Sequence, residues 1–136
     1  MQKVLIVVDM QNDFIDGALG TPEAVAIVPN VKKKIEEFDG TVLFTRDTHE
    51  SFYLDTQEGR NLPVPHCIRG TKGWEIREEL DTLRKTTPID KVTFGSSELG
   101  HILCDMYEED VIESITFITF LFSTEIYTNL FKIISY

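Results

Sequence analysis

The stretch at residues 4–14, VLIVVDMQNDF, constrains the fold more than any other part of the chain. Five consecutive apolar residues, four of them β-branched, stop abruptly at Asp9. Such a run suits a strand that is apolar on both faces, and strands of that kind belong inside a parallel sheet covered by helices on each side. In open α/β sheets, ligands and chemistry collect at the carboxyl ends of the strands. Asp9 stands at that end and is the first candidate for chemistry.

The rest of the chain alternates in the manner such a sheet requires. Residues 12–20 are rich in turn formers, and Pro29 suits the first turn of a helix reaching residue 38. Val31, Ile35 and Phe38 give that helix one apolar face, and Gly40 closes it. A second strand at 41–46 ends in Asp47, Thr48 and His49, completing a βαβ unit whose crossover makes the two strands parallel. Residues 50–73 carry prolines and glycines without periodicity and read as a long loop, a feature that is usually functional in compact domains. Ile76, Leu80 and Leu83 mark a helix over 75–84, and a short strand is expected at 91–94. A Gly95-Ser96-Ser97 turn then starts a helix reaching residue 107. The most apolar segment, ITFITFLF at 115–122, reads as a central strand, with Ser123 and Thr124 opening a last helix.

Composition limits the partners. With 23 acidic residues against 13 lysines and arginines, the net charge of -10 repels phosphate backbones and anionic lipid, so neither nucleic acid nor membrane is an expected partner. The five apolar residues before Asp9 are too few for a signal segment, and the expected compartment is the cytoplasm. Cys67 and Cys104 lack CxxC spacing and suggest neither a disulfide nor a zinc knuckle. The 136 residues are expected to form a single domain, 1–136.

Three strand ends therefore offer polar groups at one edge of one sheet: Asp9, the Asp47 and His49 pair, and the Ser123 turn. Asp47 and His49 stand two apart, so continued strand geometry points both side chains the same way. His66, in the long loop, is able to join them. Two imidazoles and a carboxylate suit Zn²⁺, Mn²⁺ or Fe²⁺. On spacing alone the plainer reading stands ahead: a turn capped by Asp47, with solvated histidines.

Taken as a set, VDMQNDF at the first strand end, TRDTH at the second, LPVPHCIRGTKGWE in the loop and KVTFGSSEL before the third helix resemble the isochorismatase-like cysteine hydrolases, and among them the nicotinamidases. The resemblance covers residues 3 to about 117. It implies a doubly wound parallel sheet in a three-layer α/β/α arrangement, and an amide hydrolase that converts a small carboxamide to its acid and ammonia. Asp9 matches the family aspartate that takes the nucleophile's proton and passes it to the leaving amine. Lys91 matches the lysine whose charge favours the family's thiolate. Asp47, His49 and His66 match the ligands of a divalent transition ion, zinc first, with manganese or iron as alternatives, that holds the pyridine nitrogen of the substrate. Phe14 matches a ring lining the pocket, and a core role suits it nearly as well.

The departure from the family lies at the nucleophile, where Ser123 occupies the place of the cysteine and no glycine precedes it. The resemblance also implies that the family's final β-α unit or units are lacking here. An uncovered apolar ITFITFLF would then favour a homo-oligomer. The alternative to an active amidase is a catalytically inactive member that keeps the metal and pocket for binding only. Cys67 and Cys104 read as packing residues, His101 as solvated, and Trp74 as packed on the helix after it.

Overall fold

The computed structural model describes residues 1–120; Ser123 and the helix expected after it lie outside the described residues. Four parallel strands, β1 (Gln2–Val8), β2 (Thr41–Asp47), β3 (Ile89–Lys91) and β4 (Ile112–Thr119), form one sheet in the order β3-β2-β1-β4. β1 is therefore internal, and Val4, Leu5, Ile6 and Val7 are fully buried, as their unbroken apolar run requires. The segment 112–119 takes the end position beside β1 among the described residues, rather than a central one. β3 begins and ends before the expected 91–94, at Ile89–Lys91.

Alternate residues of β1 feed two cores. Leu5 and Val7 join Val28, Val31, Ile35, Phe44 and Leu80 on the face covered by helices α2 (Pro22–Glu37) and α4 (Glu78–Asp81). Val4 and Ile6 join Leu43, Ile112, Ile115 and Leu103 on the face covered by α5 (Ser97–Glu109). Helices on both faces of a parallel sheet make the three-layer, doubly wound α/β fold that the family resemblance implies. Each buried aliphatic side chain contributes about 1.5–3 kcal/mol, and the internal strand supplies both layers.

Two helices differ from expectation. α2 starts at Pro22, seven residues before Pro29, because Thr21 supplies the cap: its side chain accepts a hydrogen bond from the Ala24 amide at 3.1 Å, and Pro22 takes the position where no N–H is needed. Pro29 therefore lies inside the helix. α4 is a single turn at Glu78–Asp81 instead of a helix over 75–84. Its upstream residues are drawn into main-chain bonds with the first strand's exit, Asn12 N–H to Glu75 O and Arg77 N–H to Met10 O, at 3.0 and 2.9 Å. The long loop contains a 3-10 turn (Tyr53–Asp55) and the short helix α3 (Gln57–Asn61), and α1 (Asn12–Ile15) is a single turn after β1.

An internal proline removes a helix hydrogen bond and crowds the carbonyl four residues earlier, that of half-exposed Val25. Pro29→Ala is expected to raise stability by about 1–3 kcal/mol, read as a higher urea midpoint with an unchanged slope. An unchanged or lower midpoint would show that α2 packs on the sheet only in the shape the proline gives it.

Candidate active site and metal centre

β1 ends because Asp9 adopts a left-handed backbone, φ 52°, that turns the chain away from the sheet. The turn leaves the Asp9 carboxylate above the strand ends, where both oxygens are engaged. Oδ1 accepts from the Thr45 hydroxyl of β2 at 2.7 Å, and Oδ2 accepts from Lys91 Nζ of β3 at 2.7 Å. Lys91 also donates to the Phe94 carbonyl at 3.3 Å. Lys91 and Asp9 are 8% and 9% exposed, so each charge depends on the other for its partner. Three strands thus contribute one residue each to a fixed acid-base pair, in which Thr45 is a participant that sequence reading missed. Its period-two spacing from Asp47 was the available signal.

The second group lies at the end of β2. Asp47 closes the strand, and His49 follows after Thr48, whose amide donates to the Lys91 carbonyl at 2.8 Å and so extends the pairing with β3. His49 continues the extended geometry by bridging the loop: its amide donates to Cys67 O and its carbonyl accepts from the Arg69 amide, both at 2.9 Å. This bridge carries His66 to the strand end. The candidate ligand atoms of Asp47, His49 and His66 all lie within 4.8 Å of one another, and all three residues are buried. Asp47 Oδ2 is 2.9 Å from His49 Nε2 and 3.6 Å from His66 Nε2. Spacing alone favoured a capped turn with solvated histidines; burial of both imidazoles overturns that reading.

The electrostatics suit a cation. Burial of Asp47 opposes its charge, but the nearby imidazoles of His66 and His49 and the field of Lys91 outweigh it and hold the carboxyl below the usual range. Burial likewise opposes charge on His66, yet the nearby Asp47 carboxylate and the bond to the Val64 carbonyl raise its pKa. The 2.7 Å contact to Val64 O requires Nδ1 of His66 to be the donor, which leaves the Nε2 lone pair facing Asp47 in the neutral ring. His49 Nε2 is buried and, although 2.9 Å from Asp47 Oδ2, makes no aligned hydrogen bond. A buried orphan nitrogen beside a carboxylate and a second imidazole is the donor set a divalent transition ion needs. Glu58 of α3, half exposed, brings Oε1 to 3.9 Å from His49 Nε2. No periodic signal marked it in the loop.

Aromatic rings wall the group. Tyr53 packs against both imidazoles, with ring centroids 4.7 Å from His49 and 5.1 Å from His66. Phe14 sets its edge on His66 at 5.5 Å and stacks on Phe120 at 4.6 Å, so it is both a buried residue and a wall. Trp74 does not pack on the following helix as expected. Its ring lies under the Arg46 guanidinium at 3.6 Å, and its Nε1 donates to the Thr48 hydroxyl at 2.9 Å. Cys67 is fully buried, and burial together with the carboxylates of Asp47, Asp13 and Asp9 pushes its thiol far up, so it is a poor source of thiolate. His101 is exposed on α5, as expected.

The isochorismatase domain model matches residues 3–118. No curated protein gives a significant match. Among solved structures, the chain is similar to N-carbamoylsarcosine amidase from Thermoplasma acidophilum, with 32% identity over 88% of this chain and 68% of that one and a TM-score of 0.65. It is also similar to the pyrazinamidase of Pyrococcus horikoshii in complex with zinc, with 29% identity, coverage of 88% and 70%, and a TM-score of 0.63. The nicotinamidase/pyrazinamidase of Bacillus subtilis gives 27% identity, coverage of 88% and 71%, and a TM-score of 0.64. The chain, whose sheet edge gathers Asp9 and Lys91 beside an Asp47, His49, His66 cluster and which one domain model matches along most of its length, belongs to the isochorismatase family of hydrolases.

Proposed function

We propose that residues 1–136 form one metal-dependent amide hydrolase domain that cleaves a small carboxamide, nicotinamide or a close analogue, to its acid and ammonia in the cytoplasm. The observation that carries this reading is the buried Asp47, His49 and His66 cluster, with its orphan His49 nitrogen, alongside the Asp9–Lys91 pair. Asp47, His49 and His66 hold the ion, with zinc first and manganese or iron as alternatives. When bound, it supplies a Lewis acid that fixes a ring nitrogen of the substrate. The zinc of the P. horikoshii relative supports the first choice. The free thiols of Cys67 and Cys104 suit a reducing compartment.

The protein groups then divide the work. Ser123 holds the nucleophile's place, and Asp9 takes its proton as the oxygen attacks the amide carbon. Asp9 returns that proton to the amide nitrogen, the C–N bond breaks, and ammonia leaves. Water, losing a proton to Asp9, cleaves the resulting ester; the proton goes back to the serine oxygen and the acid departs. Lys91 and Thr45 hold the Asp9 carboxylate in one orientation throughout.

One observation favours a second reading, a member that binds without turnover. A serine hydroxyl loses its proton far less readily than a thiol, and Asp9 is a weak base for it. Ammonia release from nicotinamide, pyrazinamide or N-carbamoylsarcosine with added Zn²⁺ is therefore expected to be slow, about 10³-fold or more below a working triad. Ser123→Cys should raise it in part, and Ser123→Ala should leave none. Rapid turnover by the wild type that Ser123→Ala abolishes would remove the binding-only reading.

Metal binding gives a test that needs no turnover. One equivalent of Zn²⁺ or Mn²⁺ is expected by chelator competition, and none in His49→Ala. Because His66 titrates above its ordinary 6.5 and binds metal only when neutral, apparent affinity should fall as pH drops through that raised value, by up to about tenfold per unit. Equal uptake by wild type and His49→Ala, or affinity that does not change between pH 8 and 5.5, would exclude this centre.

The outer edge of β4 has no strand beside it among the described residues, and an apolar strand edge is a template for pairing with another copy. A homo-oligomer is expected, seen as concentration-dependent sedimentation. A single monomeric species over a hundredfold range of concentration would contradict it.

A further inference from the structure

Gln11 is fully buried two residues beyond Asp9, where polar side chains need a reason to be. β1 pairs in parallel with β2 from Val4 opposite Thr41 to Val8 opposite Thr45, and the last bond of the ladder is Asp9 N–H to Thr45 O, at 3.3 Å. Asp9 then turns left-handed and the main chain leaves the sheet. Asp47 still presents its N–H and C=O on that side, two positions further along β2, and neither has a strand to meet.

The Gln11 carboxamide meets both. Its Oε1 accepts from the Asp47 amide at 2.8 Å, and its Nε2 donates to the Asp47 carbonyl at 2.8 Å. The second Nε2 hydrogen goes to the Trp74 carbonyl, also at 2.8 Å. Both donors of the amide are used, and the group takes the place of the missing peptide of β1. From its other side, Asp47 pairs with Lys91 of β3. Asp47's own N–H and C=O are held by the Gln11 side chain and the next peptide by β3, where the Thr48 amide donates to the Lys91 carbonyl at 2.8 Å, so the direction of the Asp47 Cα–Cβ bond is fixed.

We infer that Gln11 is a positioning residue for the metal centre, aiming the Asp47 carboxylate into the space it shares with Nε2 of His49 and Nε2 of His66; this rests on the metal-site reading above. Asp47 is the shared neighbour of both imidazoles, at 2.9 and 3.6 Å, so a small rotation of its backbone changes two ligand distances together. Ligands fixed in advance lose less freedom on binding, and outer partners of metal ligands are ordinarily worth about 10- to 100-fold in affinity.

The test is Zn²⁺ affinity by chelator competition, with thermal melting of the same samples with and without Zn²⁺. The variants are Gln11→Met, which keeps the length and loses the amide, and Gln11→Asn, which keeps the amide but falls about 1.5 Å short. Leu103→Ala, in the α5 core away from the strand ends, serves as a control for general destabilisation. Both Gln11 variants should bind Zn²⁺ about 10- to 100-fold more weakly and gain less melting temperature from it. The control should melt earlier without metal and bind Zn²⁺ like the wild type. If Gln11→Met does not fold, Gln11→Asn carries the test. A Gln11 variant that melts earlier yet binds Zn²⁺ within twofold of wild type would make the residue merely structural and overturn the inference. Wild type without Zn²⁺ binding would overturn the metal-site reading itself, and this inference with it.

Discussion

A buried ammonium and a buried carboxylate 2.7 Å apart set the terms for the rest of the structure. Taking Lys91 and Asp9 out of water costs several kcal/mol for each ion, and removing one partner of such a pair ordinarily costs about 3–5 kcal/mol. The pair is tolerable only if β1 and β3, which are not neighbours in the sheet, are kept in register through β2 between them. β2 does this with the same residues that join the chemistry. Thr45 pairs with Val8 and Ile89 through its backbone and with Asp9 through its hydroxyl, and Asp47 pairs with Lys91 through its backbone and faces the imidazoles with its carboxylate. Sheet register and site geometry are one constraint.

The site carries two poles. Lys91 donates to Asp9, while the carboxyl groups of Asp47 and, further out, Glu58 lie around two imidazoles. Lys91 also contributes to lowering the Asp47 pKa, so the two halves are coupled through space as well as through strand pairing. In the apo chain His66 and Asp47 favour each other's charged forms. Asp47, His49 and His66 would hold a divalent ion, and the Asp47 carboxyl is kept below its usual range before any ion is present. The chain arranges charge before it is needed, and the cost is borne by an apolar sheet whose two faces are covered.

Much of this was legible in the sequence because it depends on local periodicity. The unbroken apolar run of β1, the alternation that sends Asp47 and His49 the same way, and the apolar face of α2 all survive in the fold. Element boundaries were less legible, since Thr21 and Pro22 cap α2 as well as any signal further on, and tertiary bonds from Asn12 and Met10 dismantled the expected helix over 75–84. The residues that hold the site were hardest to see. Gln11 reaches main-chain groups 36 and 63 positions away. A polar residue read alone looks like a turn former, and only the fold reveals what it meets. The long loop offered His66 as able to join Asp47 and His49, and the resemblance to a known family assigned it as a ligand, because no spacing rule connects a loop histidine to a strand end.

The segment VDMQNDF explains why a loop without periodicity is nonetheless ordered. After β1 turns away at Asp9, its next polar side chains each engage a different piece of the loop or of β2. Gln11 bonds Asp47 and Trp74, Asn12 Nδ2 donates to Lys72 O at 2.8 Å, and Asp13 Oδ2 accepts from the Cys67 amide at 2.8 Å. The last of these lies next to His66 and secures a residue whose φ of 47° is unfavourable for a side chain with a Cβ. Gly73 is required for the same packing, since a Cβ there would collide with the Asp13 carboxylate. Strain at Cys67 and the missing side chain at Gly73 are thus paid for by one aspartate, and the return is the placement of His66. A loop held in this way needs no apolar face of its own. Its order comes from the first strand's exit, which is why the chemistry of the site and the folding of the loop cannot be separated by sequence position.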